Sequence, residues 1–166
     1  PKPTALPDGR GGSVELRVAT PLTDDRSSAD AERRERSRLD VRSDVRRPTL
    51  LIVHGHQFPE RPGGRGPLTP AMIEHWCGQG WIAAAVSQPG YGESTGPPDC
   101  CGPRTQAALR IAMDHLLDRN ADPARTIVWA ISRGAVAAAC AFVDGATEPG
   151  VLILQAGIYD MERWVD

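Results

Sequence analysis

The stretch IVWAISRGAVAAAC, residues 127 to 140, sets one hydroxyl between two apolar runs. Ser132 stands there with Ala130 two positions before it and Gly134 two after. A serine at a sharp junction of strand and helix must take a positive φ, which a residue with a β-carbon tolerates poorly. Such strain persists only where the surroundings enforce it, and it tends to mark function. The small neighbours suit a bend at which strand and helix almost touch. The chemistry on offer is nucleophilic. Ser132 Oγ would attack a carbonyl carbon, and the N–H of Arg133, opening the next helix, would hold the developing oxyanion. The plainer reading is a serine that only caps a helix.

Other residues compete for attention. His54 and His56 form an H-x-H that could hold a metal with Cys100 or Cys101. Gly90, Gly92 and Gly96 follow an apolar run, as the glycines of a dinucleotide loop do. Such a site needs a helix to open at once, and Pro97, Pro98 and Pro103 delay it. The four cysteines, Cys77, Cys100, Cys101 and Cys140, match no zinc spacing. Cys140 reads as a small core residue of an apolar helix. Cys100 and Cys101 could not bridge one another without strain, while a disulfide from either to Cys77 stays open.

The elements that must position Ser132 are legible as runs. TLLIV (49–53), WIAAAV (81–86), TIVWAI (126–131) and VLIL (151–154) are continuous apolar stretches, suited to parallel strands covered on both faces. Helical patterns separate them. One spans about 69–79, with Thr69 as N-cap and Pro70 at the first helical position. A second spans about 103–119, with Ala108, Ile111, Ala112, His115 and Leu116 on one face. A third runs from Arg133 to Asp144 and stops at Gly145. This alternation predicts an α/β fold: a mainly parallel sheet with helices on both faces. SVELRVA (13–19) alternates, and predicts an antiparallel edge strand wet on one face. Residues 24–47, almost all charged, predict a solvated, mobile excursion. The division is thus 1–47 for strand and excursion, and 48–166 for the sheet domain. HGHQF, SQPGYGESTG and SRGA would all fall at the carboxyl edge of the parallel strands, where ligands bind in such sheets.

At 166 residues, 40% hydrophobic and 24% charged, the chain has one domain's length and an ordinary globular composition. A net charge of −2 argues against nucleic acid or an anionic membrane as partner. No apolar stretch is long enough to span a bilayer. Compartment and oligomeric state are not legible, and the first residue is Pro1 rather than Met.

AISRG on a strand-to-helix turn resembles G-x-S-x-G, the nucleophile elbow of the α/β-hydrolase fold, with Ala130 at the first glycine. LLIVHGHQF is similar to the family's strand ending in His-Gly. SQPGYGESTG is similar to its D-x-P-G-x-G-x-S segment, with Ser87 at the usual Asp. The three motifs stand in family order. DPARTIVWAISRGA and LILQAGIYD resemble, within that fold, the prolyl oligopeptidase family of serine peptidases and related esterases, over roughly residues 48–166. The resemblance implies Ser132 as nucleophile, with the backbone N–H of Arg133 and of His56 (Gln57 as runner-up) as the oxyanion hole. It implies Ala130 and Gly134 as the residues that shape the elbow. His54 then becomes a structural residue closing its strand, and no metal or cofactor is implied. The side chain of Arg133 is left between substrate contact and an ion pair. The loop 93–102 is left between shaping access to the site and plain surface. Trp76, Trp81 and Trp129 read as core.

A serine hydroxyl needs a base, nearly always histidine, and in this family acid and histidine follow the serine in the chain. His54, His56, His75 and His115 all precede Ser132. Asp160 follows it, at a position ordinarily outside the triad of prolyl oligopeptidases. The expectation is therefore the nucleophile-bearing part of a serine hydrolase acting on a small-molecule ester or peptide, inactive as these 166 residues alone. The alternative is a catalytically silent binding module of the same fold.

Overall fold

A computed structural model describes residues 2–9, 11–21, 45–143 and 147–159. Of the expected excursion at 24–47, residues 24–44 lie outside these residues, as do the stop at Gly145 and Asp160; Arg47, expected in the excursion, instead opens a strand.

Among the described residues six strands form one sheet: β1 (Pro3–Pro7), β2 (Ser13–Ala19), β3 (Arg47–Val53), β4 (Ile82–Val86), β5 (Ala121–Ile131) and β6 (Val151–Gln155). Their spatial order is β1-β2-β4-β3-β5-β6. The pairs β3–β4, β3–β5 and β5–β6 are parallel, whereas β2 lies antiparallel to both β1 and β4. The N-terminal pair is thus antiparallel as expected, but the edge belongs to β1. Two prolines bound that strand, and proline suits an edge because it cannot donate to a further ladder.

Three helices connect the parallel strands: α1 (Pro70–Gly78), α2 (Pro103–Leu117) and α3 (Arg133–Phe142). Thr69 caps α1, its hydroxyl accepting from the Met72 N–H at 3.3 Å. Asp99 serves the start of α2, accepting from the Arg104 N–H at 2.6 Å and from the Thr105 hydroxyl at 2.5 Å. Successive strand residues point to opposite faces, and the core divides accordingly. Leu51, Val53, Ala84, Val86, Val128 and Ala130 meet α2 and α3 on one face. Leu50, Ile52, Ala83 and Ala85 meet Met72, Ile73, Trp76 and Trp81 on the other.

Burial on both faces therefore holds for β3 and β4, but not outward along the sheet. In β5, Thr126, Val128 and Ala130 are buried while Ile127, Trp129 and Ile131 are only half-buried. In β6, Val151 is 48% exposed and Ile153 44%. The apolar run that predicts a covered strand is uncovered there, because α1 reaches only the β3–β4 part of its face. Cys140 is also exposed, on the outer side of α3, which corrects its assignment to the core. An alanine-rich helix presents little contrast between its faces, so its buried stripe is hard to read. All four cysteines are free thiols.

Candidate active site

Strand β5 ends at Ile131 and α3 begins at Arg133, so Ser132 alone makes the turn. Its φ is 54° and its ψ −124°. This is the left-handed half of backbone space, costly for a residue with a side chain. Neighbours enforce it. The Ser132 N–H donates to the Gln155 carbonyl on β6 at 2.8 Å, and its carbonyl accepts from the Ala135 N–H at 2.9 Å. A methyl group on Gly134 would collide with the His54 carbonyl oxygen and come within 2.8 Å of that of Val53. One on Gly55 would lie 2.9 Å from both the Ile131 carbonyl oxygen and Ser132 Cβ. The elbow and the loop after β3 are therefore interlocked, and only glycine admits that approach at either position. Ala130 is fully buried, its methyl accepted within the core.

The residue after Gly55 is His56. Neither its N–H nor that of Arg133 donates to any group among the described residues. Two backbone donors thus remain unspent on the two segments that meet at Ser132. The Ser132 hydroxyl likewise has no hydrogen-bond partner among them. Gln57, the runner-up donor, uses its side chain to fold the loop. Its amide donates to the Gly63 carbonyl at 3.0 Å and accepts from the Gly63 N–H at 2.8 Å.

The histidines divide by role. His54 is buried, with Nδ1 donating to the Gly55 carbonyl at 2.8 Å and Nε2 accepting from the Gln88 N–H at 3.1 Å. The Gln88 side chain also donates to the His54 carbonyl. With both ring nitrogens engaged, His54 is free for neither a metal nor Ser132. No group of three or more His, Cys, Asp or Glu among the described residues is placed to hold a metal. His56 is exposed, its Nδ1 3.0 Å from the Tyr91 hydroxyl. His75, on α1, pairs with Gln79 just beyond its end, and His115 lies on α2.

Burial, with the Arg133 charge adding to it, lowers the pKa of His54 to about 4. An unfolded chain accepts this proton near the ordinary value of about 6.5, whereas the folded one refuses it until about 4. Stability contributed by neutral His54 is therefore complete above about pH 6.5 and is lost as pH falls toward 4. The loss amounts to about 3 kcal/mol over that window. Urea unfolding followed from pH 7 to 4 should show it, and His54→Asn should flatten this part of the profile.

The loop from Ser87 carries the second motif and the largest departure from it. Ser87 is buried, and its Oγ donates to Glu15 Oε2 at 2.8 Å while accepting from the Gly64 N–H at 2.8 Å. Glu15 also accepts from the Glu93 N–H at 2.7 Å and from Arg17 Nε at 2.6 Å. The carboxylate that the resembling family carries at position 87 is thus supplied here from the neighbouring strand β2. Glu15 was expected on a wet face, yet it is only 2% exposed, because the loops at 61–66 and 91–95 cover it. An alternating strand gives no sign of what will cover its polar side.

Tyr91 is a site residue that the sequence does not announce. Its ring is buried and its hydroxyl accepts from Arg133 Nη2 at 2.5 Å. The guanidinium carbon of Arg133 sits 5.1 Å from the ring centroid, and that of Arg61 sits 5.4 Å from it. Arg133 is therefore in no ion pair among the described residues, contrary to one of the two roles open to it. The loop 93–102 reaches the elbow: Cys101 Sγ donates to the Arg133 carbonyl at 3.2 Å, and Arg133 Nη1 lies 3.9 Å from Cys100 Sγ. Trp76, Trp81 and Trp129 pack partly buried against the β3–β4 face, away from this cluster.

No protein-family model and no curated protein matches the chain. Solved structures do. A prolyl endopeptidase superimposes with a TM-score of 0.67 at 18% identity, over 98% of this chain and 22% of that one. An esterase from Exiguobacterium antarcticum gives 0.61 at 13%, over 94% and 46%. A lidless α/β serine hydrolase from Xanthomonas campestris gives 0.59 at 21%, over 91% and 59%. The chain has the α/β-hydrolase fold. This hydrolase-fold chain spans less than two thirds of the length of each of these three structures. No helix among its described residues is long and apolar enough to cross a membrane.

Proposed function

We propose that the chain carries the nucleophile and oxyanion hole of a serine hydrolase acting on an ester or peptide carbonyl. The observation that carries this reading is Ser132 at φ 54°, held between β5 and α3 by the interlock of Gly55 and Gly134. Ser132 Oγ adds to the carbonyl carbon, and the oxyanion is held by the N–H groups of Arg133 and His56. Donors already fixed in place need no reorganisation as charge develops, and each contributes about 3 kcal/mol. The leaving group departs, and water releases the acyl group from Ser132. The proton on Oγ needs a base. His54 is excluded by its two hydrogen bonds, and no other histidine bonds to Ser132 among the described residues. In this reading the base and its acid are supplied by residues other than those described.

The test is pre-steady-state hydrolysis of 4-nitrophenyl acetate by the complete gene product that contains this sequence. A burst of nitrophenolate close to one per chain is expected, from acylation outrunning deacylation. The unpartnered Ser132 hydroxyl also favours a second reading, a catalytically silent module that binds its ligand at the same sheet edge. Absence of both burst and turnover would select that reading.

A further inference from the structure

Arg133 is unusual for a cation so close to a candidate reaction centre. Its side chain is half-buried, its Nε is buried with no partner, and no carboxylate meets it among the described residues. A partly shielded guanidinium without a counter-charge is unfavourable, and burial of charge is ordinarily accompanied by pairing. What holds it is neutral: the Tyr91 hydroxyl at 2.5 Å, the Tyr91 ring and the Cys100 thiol. Tyr91 is itself fixed by His54 against its ring, with centroids 4.9 Å apart, and by His56 at its hydroxyl. Arg61 adds a second guanidinium to the same ring. It differs from Arg133 in sharing a groove with Glu60 and Glu93, so its surroundings already contain negative charge. Arg133 makes no ion pair among the described residues, yet it follows Ser132 directly in the chain. An arginine presents a planar fork of donors that matches a carboxylate. Tyr91 takes one of those donors and orients the rest.

We propose that Arg133, braced by Tyr91, is an anion subsite that selects substrates bearing a carboxylate near the scissile carbonyl. This rests on the reading of Ser132 as nucleophile, and it adds the substrate class. The carboxylate belongs either to the acyl group or to the leaving group, and two ester pairs separate these. 4-Nitrophenyl hydrogen adipate against 4-nitrophenyl hexanoate places the charge on the acyl side. 3-Carboxyphenyl acetate against phenyl acetate places it on the leaving side.

In the complete gene product, kcat/KM for the charged member of one pair should exceed that of its neutral partner by at least about tenfold. A hydrogen bond to a charged group is worth that much when one partner is removed. Arg133→Gln should lower this ratio about tenfold, Arg133→Lys should restore part of it, and Tyr91→Phe should lower it about threefold. Adipate binding, read as a calorimetric titration, tests the same subsite without any turnover and should vanish in Arg133→Gln. Equal kcat/KM within both pairs for the wild type would overturn the proposal while leaving Ser132 as nucleophile. Silent esters with adipate binding that depends on Arg133 would overturn the nucleophile and keep the subsite. Failure of the wild type to bind adipate, with silent esters, would overturn both.

Discussion

Gly134→Ala is expected to lower folding stability by about 3 kcal/mol, and Gly134→Val to abolish the folded state. The added methyl meets the carbonyl oxygens of His54 and Val53, not the end of a flexible side chain. Those carbonyls belong to the central strand β3 and the residue after it, so retreat would disturb the pairing of β3 with β4 and β5. Overpacking of this kind typically costs about 1–3 kcal/mol, with larger values where the backbone is the obstacle. Against a total stability of about 5–15 kcal/mol for a domain, the valine variant exceeds what the fold withstands. Urea unfolding of the alanine variant measures the effect directly. A loss below about 1 kcal/mol would mean that strand and helix are further apart than the elbow requires.

This prediction rests on a feature the sequence already carries, and it shows which kinds of feature are legible. Small residues two before and two after a serine, between an apolar run and a helical one, constrain a backbone approach that only local residues decide. The parallel strands are legible for the same reason: Leu50–Val53 of β3 and all of β4 are apolar because both their faces are covered. Legibility fails where burial depends on what a distant segment does. Glu15 looks like a solvent-facing strand residue, but loops from 61–66 and 91–95 close over it. Val151 and Ile153 look like core, but no element among the described residues covers them. Tyr91 sits within a glycine-rich stretch that reads as a turn, and nothing local announces that Arg133, 42 positions later, will bond to its hydroxyl. Pro3–Pro7 is short and proline-bounded, and becomes a strand only because β2 offers it an open edge.

The second large effect separates stability from activity at one position. Ser132→Ala and Ser132→Gly should each lower kcat/KM for ester hydrolysis by at least about a thousandfold, which is about 4 kcal/mol of transition-state stabilisation. Their stabilities should differ. Glycine adopts φ 54° without a β-carbon to crowd, so Ser132→Gly relieves strain that typically amounts to about 1–3 kcal/mol. Part of that gain is offset by the greater freedom of glycine in the unfolded chain, about 0.5–1 kcal/mol. A net rise of about 1 kcal/mol over wild type is expected for the glycine variant and none for the alanine variant. Denaturant midpoints of the three proteins give the comparison. A glycine variant less stable than wild type would show that the serine is not held against its preference.

The reactivity of one hydroxyl, that of Ser132, decides the chemistry of the site. The complete gene product, treated with a neutral fluorophosphonate and digested, should yield a single modified peptide, with the phosphonate on Ser132 as located by fragmentation. Ser132→Ala should yield none. Modification at any other residue, or labelling that persists in Ser132→Ala, would contradict the assignment of Ser132 as the nucleophile.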